Sequence, residues 1–304
     1  MINYRGERVL RIFTIEEKEI IDAMYKNGDR IDDIRTFLHC NEGALRKYLK
    51  DNGYKRRKRN TIKGSEKLGA SRKHHFNENY FKYIASEDKA YWLGFLYADG
   101  NVSWGKDKNG TQKGCTIELS LCEKDKEHLY KFLKCVSADD DYPLEKRSIK
   151  LNDKTFTSYR LSLNSVVMGK DLENLGCIPN KSFVLKHPDI NEELFPHFIR
   201  GYFDGDGCVS FNKELNNSIY TIVGTEDILQ FIKDKSGVSK EISVRMVKRN
   251  NEYKNFYQFS IGGLKSKLVF HEYIYNNAHI YLDRKYVKSC EVYDYLLSKN
   301  SKAA

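Results

Sequence analysis

Two aspartates carry the first chemical signal in this sequence. Asp99 closes the stretch YWLGFLYADGNVSW (residues 91 to 104) and Asp206 closes FIRGYFDGDGCVSF (198 to 211), so that two apolar runs containing a glycine each end in a small residue, Asp and Gly, two further residues and Ser. The second run aligns with the first without a gap, 107 residues on. An acid at a helix C-terminus meets the negative end of the macrodipole, and two such acids held together repel and raise one pKa. A hard divalent cation with oxygen ligands answers both problems, and Mg²⁺ is the natural choice.

The elements that must position these acids follow from the same residues. Trp92, Leu93, Phe95, Leu96 and Tyr97, and in the second run Phe198, Ile199, Tyr202 and Phe203, make segments apolar nearly all round, which predicts buried helices. Gly94 and Ala98, like Gly201 and Gly205, are four apart and share one helix face. Two such faces could pack closer than the ordinary spacing of about 8–10 Å. Gly100 and Gly207 are expected to stop the helices in a left-handed C-cap, leaving Asp99 and Asp206 side by side.

WLGFLYADG (92 to 100) and IRGYFDGDG (199 to 207) resemble the paired motif of the LAGLIDADG homing endonucleases. Tyr97 departs from the motif's first acidic position, which Asp204 keeps, and Arg200 stands where a small residue is usual; neither departure touches Asp99 or Asp206. The resemblance spans about residues 76 to 290. It implies that Asp99 and Asp206 are metal-binding catalytic acids using Mg²⁺ or Mn²⁺, and that Lys181 and Lys285, 82 and 79 residues beyond them, belong to the active site. Glu123 and Thr225 fall near a position at which the family often orients solvent. Two carboxylates holding divalent ions suit phosphodiester hydrolysis, with the lysines polarising water or stabilising developing charge. With both half-sites in one chain, the resemblance further implies a monomer making a double-strand break across a long, asymmetric DNA duplex.

The chain around the motifs reads as α+β. Alternation in Cys115 to Cys122 predicts a strand with Ile117, Leu119 and Leu121 on one face, and strands follow at about 144–151 and 157–164, then 217–223, 242–249 and 253–261. Helices are expected from Val166 to Leu175, Thr225 to Lys233 and Leu264 to Tyr275. Each repeat is thus αββαββα, over 76–190 and 191–304. Paired through the motif helices, the repeats would form a DNA-binding saddle. Arg147, Arg160, Ser162, Arg245, Arg249 and Gln258, at outward strand positions, could then reach base edges and phosphates.

In a domain over residues 1–53, residues 14 to 53 read as three short helices, opened by the Thr14/Glu17 capping box, with Ile15, Ile20, Ile21, Met24 and Tyr25, then Ile34, Phe37 and Leu38, then Leu45, Tyr48 and Leu49 facing inward. This resembles a helix-turn-helix module whose third helix would offer Arg46, Lys47 and Lys50 to DNA. Charge points to a polyanionic partner: of the net +10, an excess of +8 lies in residues 54–75, YKRRKRNTIKGSEKLGASRKHH. That stretch reads as a linker laid along phosphates, with Lys55, Arg56, Arg57, Lys58 and Arg59 at its start and His74 and His75 at its end.

Seven cysteines without a CxxC pair support neither a zinc ribbon nor a disulfide framework, and fit a reducing compartment. No membrane-length apolar run or targeting signal is visible, so a cytoplasmic or nucleoid-associated protein is expected. An intron maturase acting on RNA, or a DNA-binding regulator, could use the same architecture; the retained acids favour the nuclease.

Overall fold

The computed structural model describes residues 13–26, 29, 31–54, 73–108, 110, 112–151, 154–239, 242–249 and 252–303. The chain divides into two units, Met1–Arg72 and Lys73–Ala304.

The first unit holds α1 (Ile15–Lys26), α2 (Ile31–Phe37) and α3 (Glu42–Asp51). The capping box forms reciprocally: the Thr14 backbone N–H donates to Glu17 Oε2 at 3.0 Å, and that of Glu17 to Thr14 Oγ1 at 3.2 Å. Asn41 caps α3 by accepting from Ala44 N at 2.8 Å. Ile21, Tyr25, Ile34, Leu38, Ala44, Leu45 and Leu49 are buried together. Two expected core residues are not: Ile15 and Phe37 are 76% and 63% exposed. Ile15 stands in the first turn and Phe37 in the last, where a short helix has already turned its stripe out of the core. The predicted stop at Asn27-Gly28 lies outside the described residues.

The second unit is built twice over. Its first repeat runs α4 (Glu87–Asp99), β1 (Asn101–Lys106), β2 (Gln112–Cys122), α5 (Lys126–Cys135), β3 (Glu145–Leu151), β4 (Lys154–Asn164) and α6 (Val166–Asn174). The second runs α7 (Phe195–Asp206), β5 (Gly207–Asn212), β6 (Asn217–Gly224), α8 (Glu226–Ser236), β7 (Ile242–Arg249), β8 (Glu252–Ile261) and α9 (Leu264–Tyr275), and is followed by α10 (Asp283–Ala303). Both sheets are antiparallel with matching orders, β1-β2-β4-β3 and β5-β6-β8-β7. The fold is α+β, with two αββαββα repeats that follow a small all-α unit in the sequence. Ile117, Leu119 and Leu121 of β2 point into the core, as do Tyr220 and Ile222 of β6, and the period of two leaves each sheet's other face to solvent. No described helix is long and apolar enough to cross a membrane.

The last helix, α10, was not expected. Its inward residues are Lys285, Ser289, Val292 and Leu296, a helical stripe that is half polar, so hydrophobic periodicity alone could not announce it. Ser289 is buried because the Tyr220 hydroxyl and His271 Nδ1 both lie 2.7 Å from its Oγ.

Candidate active site

α4 and α7 form the axis of the second unit, and glycine sets their separation. A Cβ on Gly94 would fall on the Phe198 carbonyl and 2.9 Å from Tyr202 N; one on Gly201 would fall on the Tyr91 carbonyl and 2.9 Å from Phe95 N. Gly205 packs likewise against Ala98. Backbone therefore meets backbone along the pair, and both helices end on their aspartates. The expected left-handed caps are absent: Gly100 (φ −76°, ψ 149°) and Gly207 (φ −94°, ψ 164°) are extended and lead straight into β1 and β5. Glycine serves close approach there instead, since a Cβ on Gly100 would lie 2.6 Å from the Leu96 carbonyl oxygen, and one on Gly207 would strike Phe203.

The two carboxyl groups feel each other. Burial, and next the charge of Asp99, push Asp206 up to about 7, against the pull of Lys285 and Lys181. Asp99 is raised as well, chiefly by burial, with Lys285, Lys181 and Arg284 lowering it and Asp125 raising it. Among the described residues no lysine or arginine forms an ion pair with either acid. Two hard oxygen donors, with repulsion between them and no cation in contact, fit a divalent ion such as Mg²⁺ or Mn²⁺.

Both lysines are directed at the helix ends. Lys285 is 5% exposed and its ammonium donates to the carbonyls of Phe203 (2.9 Å), Asp204 (2.6 Å) and Gly205 (3.0 Å), the last turn of α7. Lys181, 8% exposed, donates to the carbonyl of Gly100 at the end of α4. Each thus offsets the negative pole of a motif helix. The residues proposed to orient solvent are placed differently. Thr225 caps α8, accepting from Ile228 N at 3.4 Å and donating to the Leu185 carbonyl at 2.6 Å, so its hydroxyl is already committed. Glu123 is exposed at the start of the single 3₁₀ turn Glu123–Asp125. The buried acid of that turn is Asp125, both of whose oxygens lie 2.8 Å from Arg284 Nε. Sequence reasoning missed this pair; its one signal was an arginine adjoining Lys285.

On the first sheet, Arg147, Arg160 and Ser162 share a network with Glu118 and Glu145. Arg160 donates to Glu118 Oε1 at 2.6 Å and through Nε to Glu145 Oε2 at 3.0 Å, Arg147 donates to Glu145 Oε1 at 3.0 Å, and Ser162 lies 3.3 Å from Glu118. These bonds hold the Glu145 carboxyl below its usual range. Register accounts for the network: it places Glu145 opposite Arg160 and Glu118 opposite Ser162. Gln258 donates to Ser260 Oγ at 2.7 Å. Arg245 and Arg249 fall in β7, with side chains outside the described residues. On α3, Arg46, Lys47 and Lys50 are exposed, Arg46 paired with Glu42 at 2.6 Å. Lys55, Arg56, Arg57, Lys58 and Arg59 lie outside the described residues.

His74 and His75 do not behave as linker. His74 Nδ1 lies 3.2 Å from Asp141 and the His75 backbone N–H donates to Asp139 at 2.6 Å, tying the entry of the second unit to the α5–β3 loop. His74, Asp139 and Asp141 present ligand atoms within 4.8 Å of one another, but these hydrogen bonds account for the grouping.

No family model and no curated protein matches the sequence. Solved structures do, and LAGLIDADG homing endonucleases recur among them. The homing endonuclease I-WcaI bound to its DNA recognition sequence is 14% identical over 69% of this chain and 91% of its own, with a TM-score of 0.42. The LAGLIDADG meganuclease I-CpaMI bound to uncleaved DNA is 14% identical over 71% and 94%, also at 0.42. I-DmoI in complex with DNA and Mn is 14% identical over 67% and 100%, at 0.39.

Proposed function

We propose that this protein is a site-specific DNA endonuclease that hydrolyses phosphodiester bonds with Mg²⁺ or Mn²⁺, cutting both strands of a long, asymmetric duplex as a single chain. The observation that carries the reading is the glycine-packed pair α4/α7, which delivers two carboxylates to adjoining helix ends with no ion-paired cation among the described residues. Nothing about stability calls for two raised acids at the negative ends of two dipoles. A metal would.

Asp99 and Asp206 would hold the ion. When bound, it supplies Lewis acidity toward water and neutralises charge on phosphoryl oxygens. Lys181 and Lys285 keep the helix ends, and with them the acids, in place. The solvent-facing sides of the two sheets supply a mixed donor and acceptor surface suited to base edges, and the exposed Lys47 and Lys50 of α3 would add phosphate contacts. Such a protein works inside the cell.

Cleavage of a plasmid library carrying randomised inserts tests this. Discrete double-strand breaks in Mg²⁺, absent in EDTA, are expected. Binding of duplex DNA without cleavage in any divalent ion would favour a regulator, and preferential binding of structured RNA a maturase.

A further inference from the structure

The two half-sites are chemically unequal, and the inequality lies in which cation has donors to spare. A lysine ammonium has three N–H donors. Lys285 directs all three at the carbonyls of Phe203, Asp204 and Gly205. Among the described residues Lys181 meets one carbonyl, that of Gly100, which leaves two donors. Lys285 is thus a helix clamp and Lys181 a clamp with donors left over.

The residue beside Lys285 makes good the difference. Arg284 binds both oxygens of Asp125 through Nε alone, at 2.8 Å each, and among the described residues neither Nη group has a protein acceptor. The Asp125 side chain is 5% exposed while that of Arg284 is 45% exposed, so a buried carboxylate orients a guanidinium whose far edge faces solvent. Its neighbours are fixed too: Asp283 pairs with Lys131 at 2.6 Å, and Lys285 grips α7. At the corresponding place of the first repeat, before Lys181, stands the neutral Asn180. A planar fork held at its base is suited to a phosphate.

We propose that Arg284, oriented by Asp125, contacts one of the two scissile phosphates, while Lys181 serves the other. This rests on the endonuclease reading and deepens it: the enzyme cuts its two strands with different cations, and each can be disabled alone.

The test uses the full-length protein on a supercoiled plasmid carrying the site that the wild type cuts in the library. Arg284→Gln should convert it to nicked circle, slowing one strand on the order of 10²-fold while leaving the other strand's rate at the wild-type value. Asp125→Asn should slow the same strand by less, and Arg284→Lys should restore part of the rate. Lys181→Met should slow chiefly the strand that Arg284→Gln leaves intact. Arg284→Gln that cuts both strands at wild-type rates, or slows both equally with a lowered thermal midpoint, overturns the proposal. A wild type that cuts nothing overturns the endonuclease reading first, and this inference with it.

Discussion

Tyr97 and Asp204 occupy the same place in the two motif helices and perform one task with opposite polarity. The Tyr97 hydroxyl donates to the Leu175 carbonyl, whereas the Asp204 carboxylate accepts from Leu282 N at 2.7 Å. Each pins the segment that leads to its repeat's lysine, Lys181 or Lys285. Asp204 is also met by the hydroxyls of Tyr91 (2.8 Å) and Tyr275 (3.1 Å), which satisfy a carboxylate only 1% exposed. Asp204→Ala should therefore strand three donors and cost about 3 kcal/mol or more, read as a urea midpoint shift at constant m.

The helix pair predicts a contrast between two glycines. Gly201→Ala puts a methyl into the Tyr91 carbonyl and should destabilise by about 3 kcal/mol. Gly262→Ala meets nothing within 4 Å and should be neutral or stabilising by about 0.5 kcal/mol. Equal effects in chemical denaturation would contradict the close packing.

Acid should weaken the fold through two buried histidines. Burial, and then the charges of Lys131, Lys285 and Arg284, hold His128 down to about 3, and burial holds His271 down to about 4. Each is depressed below its unfolded value of 6.5, so the unfolded chain binds the proton first. Stability is then flat above about pH 7 and falls between 6.5 and about 4, with a slope approaching about 1.4 kcal/mol per pH unit for each histidine. His128→Gln should flatten the profile between pH 4.5 and 6.5.

Much of this was legible beforehand, for reasons that show what was not. The strand bounds of β7 and the bounds of α9 match their apolar alternation and periodicity to the residue. Arg200 was visible only as an odd residue in a motif; folded, it is fully buried and satisfied by the Ile280 and Ile274 carbonyls at 2.8 Å and Glu87 at 2.6 Å. Such buried charge depends on partners 74 and 80 residues away, which no local pattern encodes. The same holds for Arg160, whose acids come from two other strands, and for Asp125 with Arg284.

The small N-terminal unit should contribute affinity unevenly. Lys47→Ala and Lys50→Ala should each reduce the slope of log affinity for DNA against log salt by about 1. Arg46→Ala should change it less, because its guanidinium is already paired with Glu42. Filter binding between low and physiological salt reads all three.

The central claim is that Asp99 and Asp206 act together on DNA, and one comparison tests it most directly: cleavage of the library-selected site by wild type, Asp99→Asn and Asp206→Asn in Mg²⁺, alongside binding in Ca²⁺. Each substitution should abolish double-strand cleavage, by at least about 10³-fold, while the protein stays folded and bound to its site. Mg²⁺-dependent cutting that survives either substitution would contradict it.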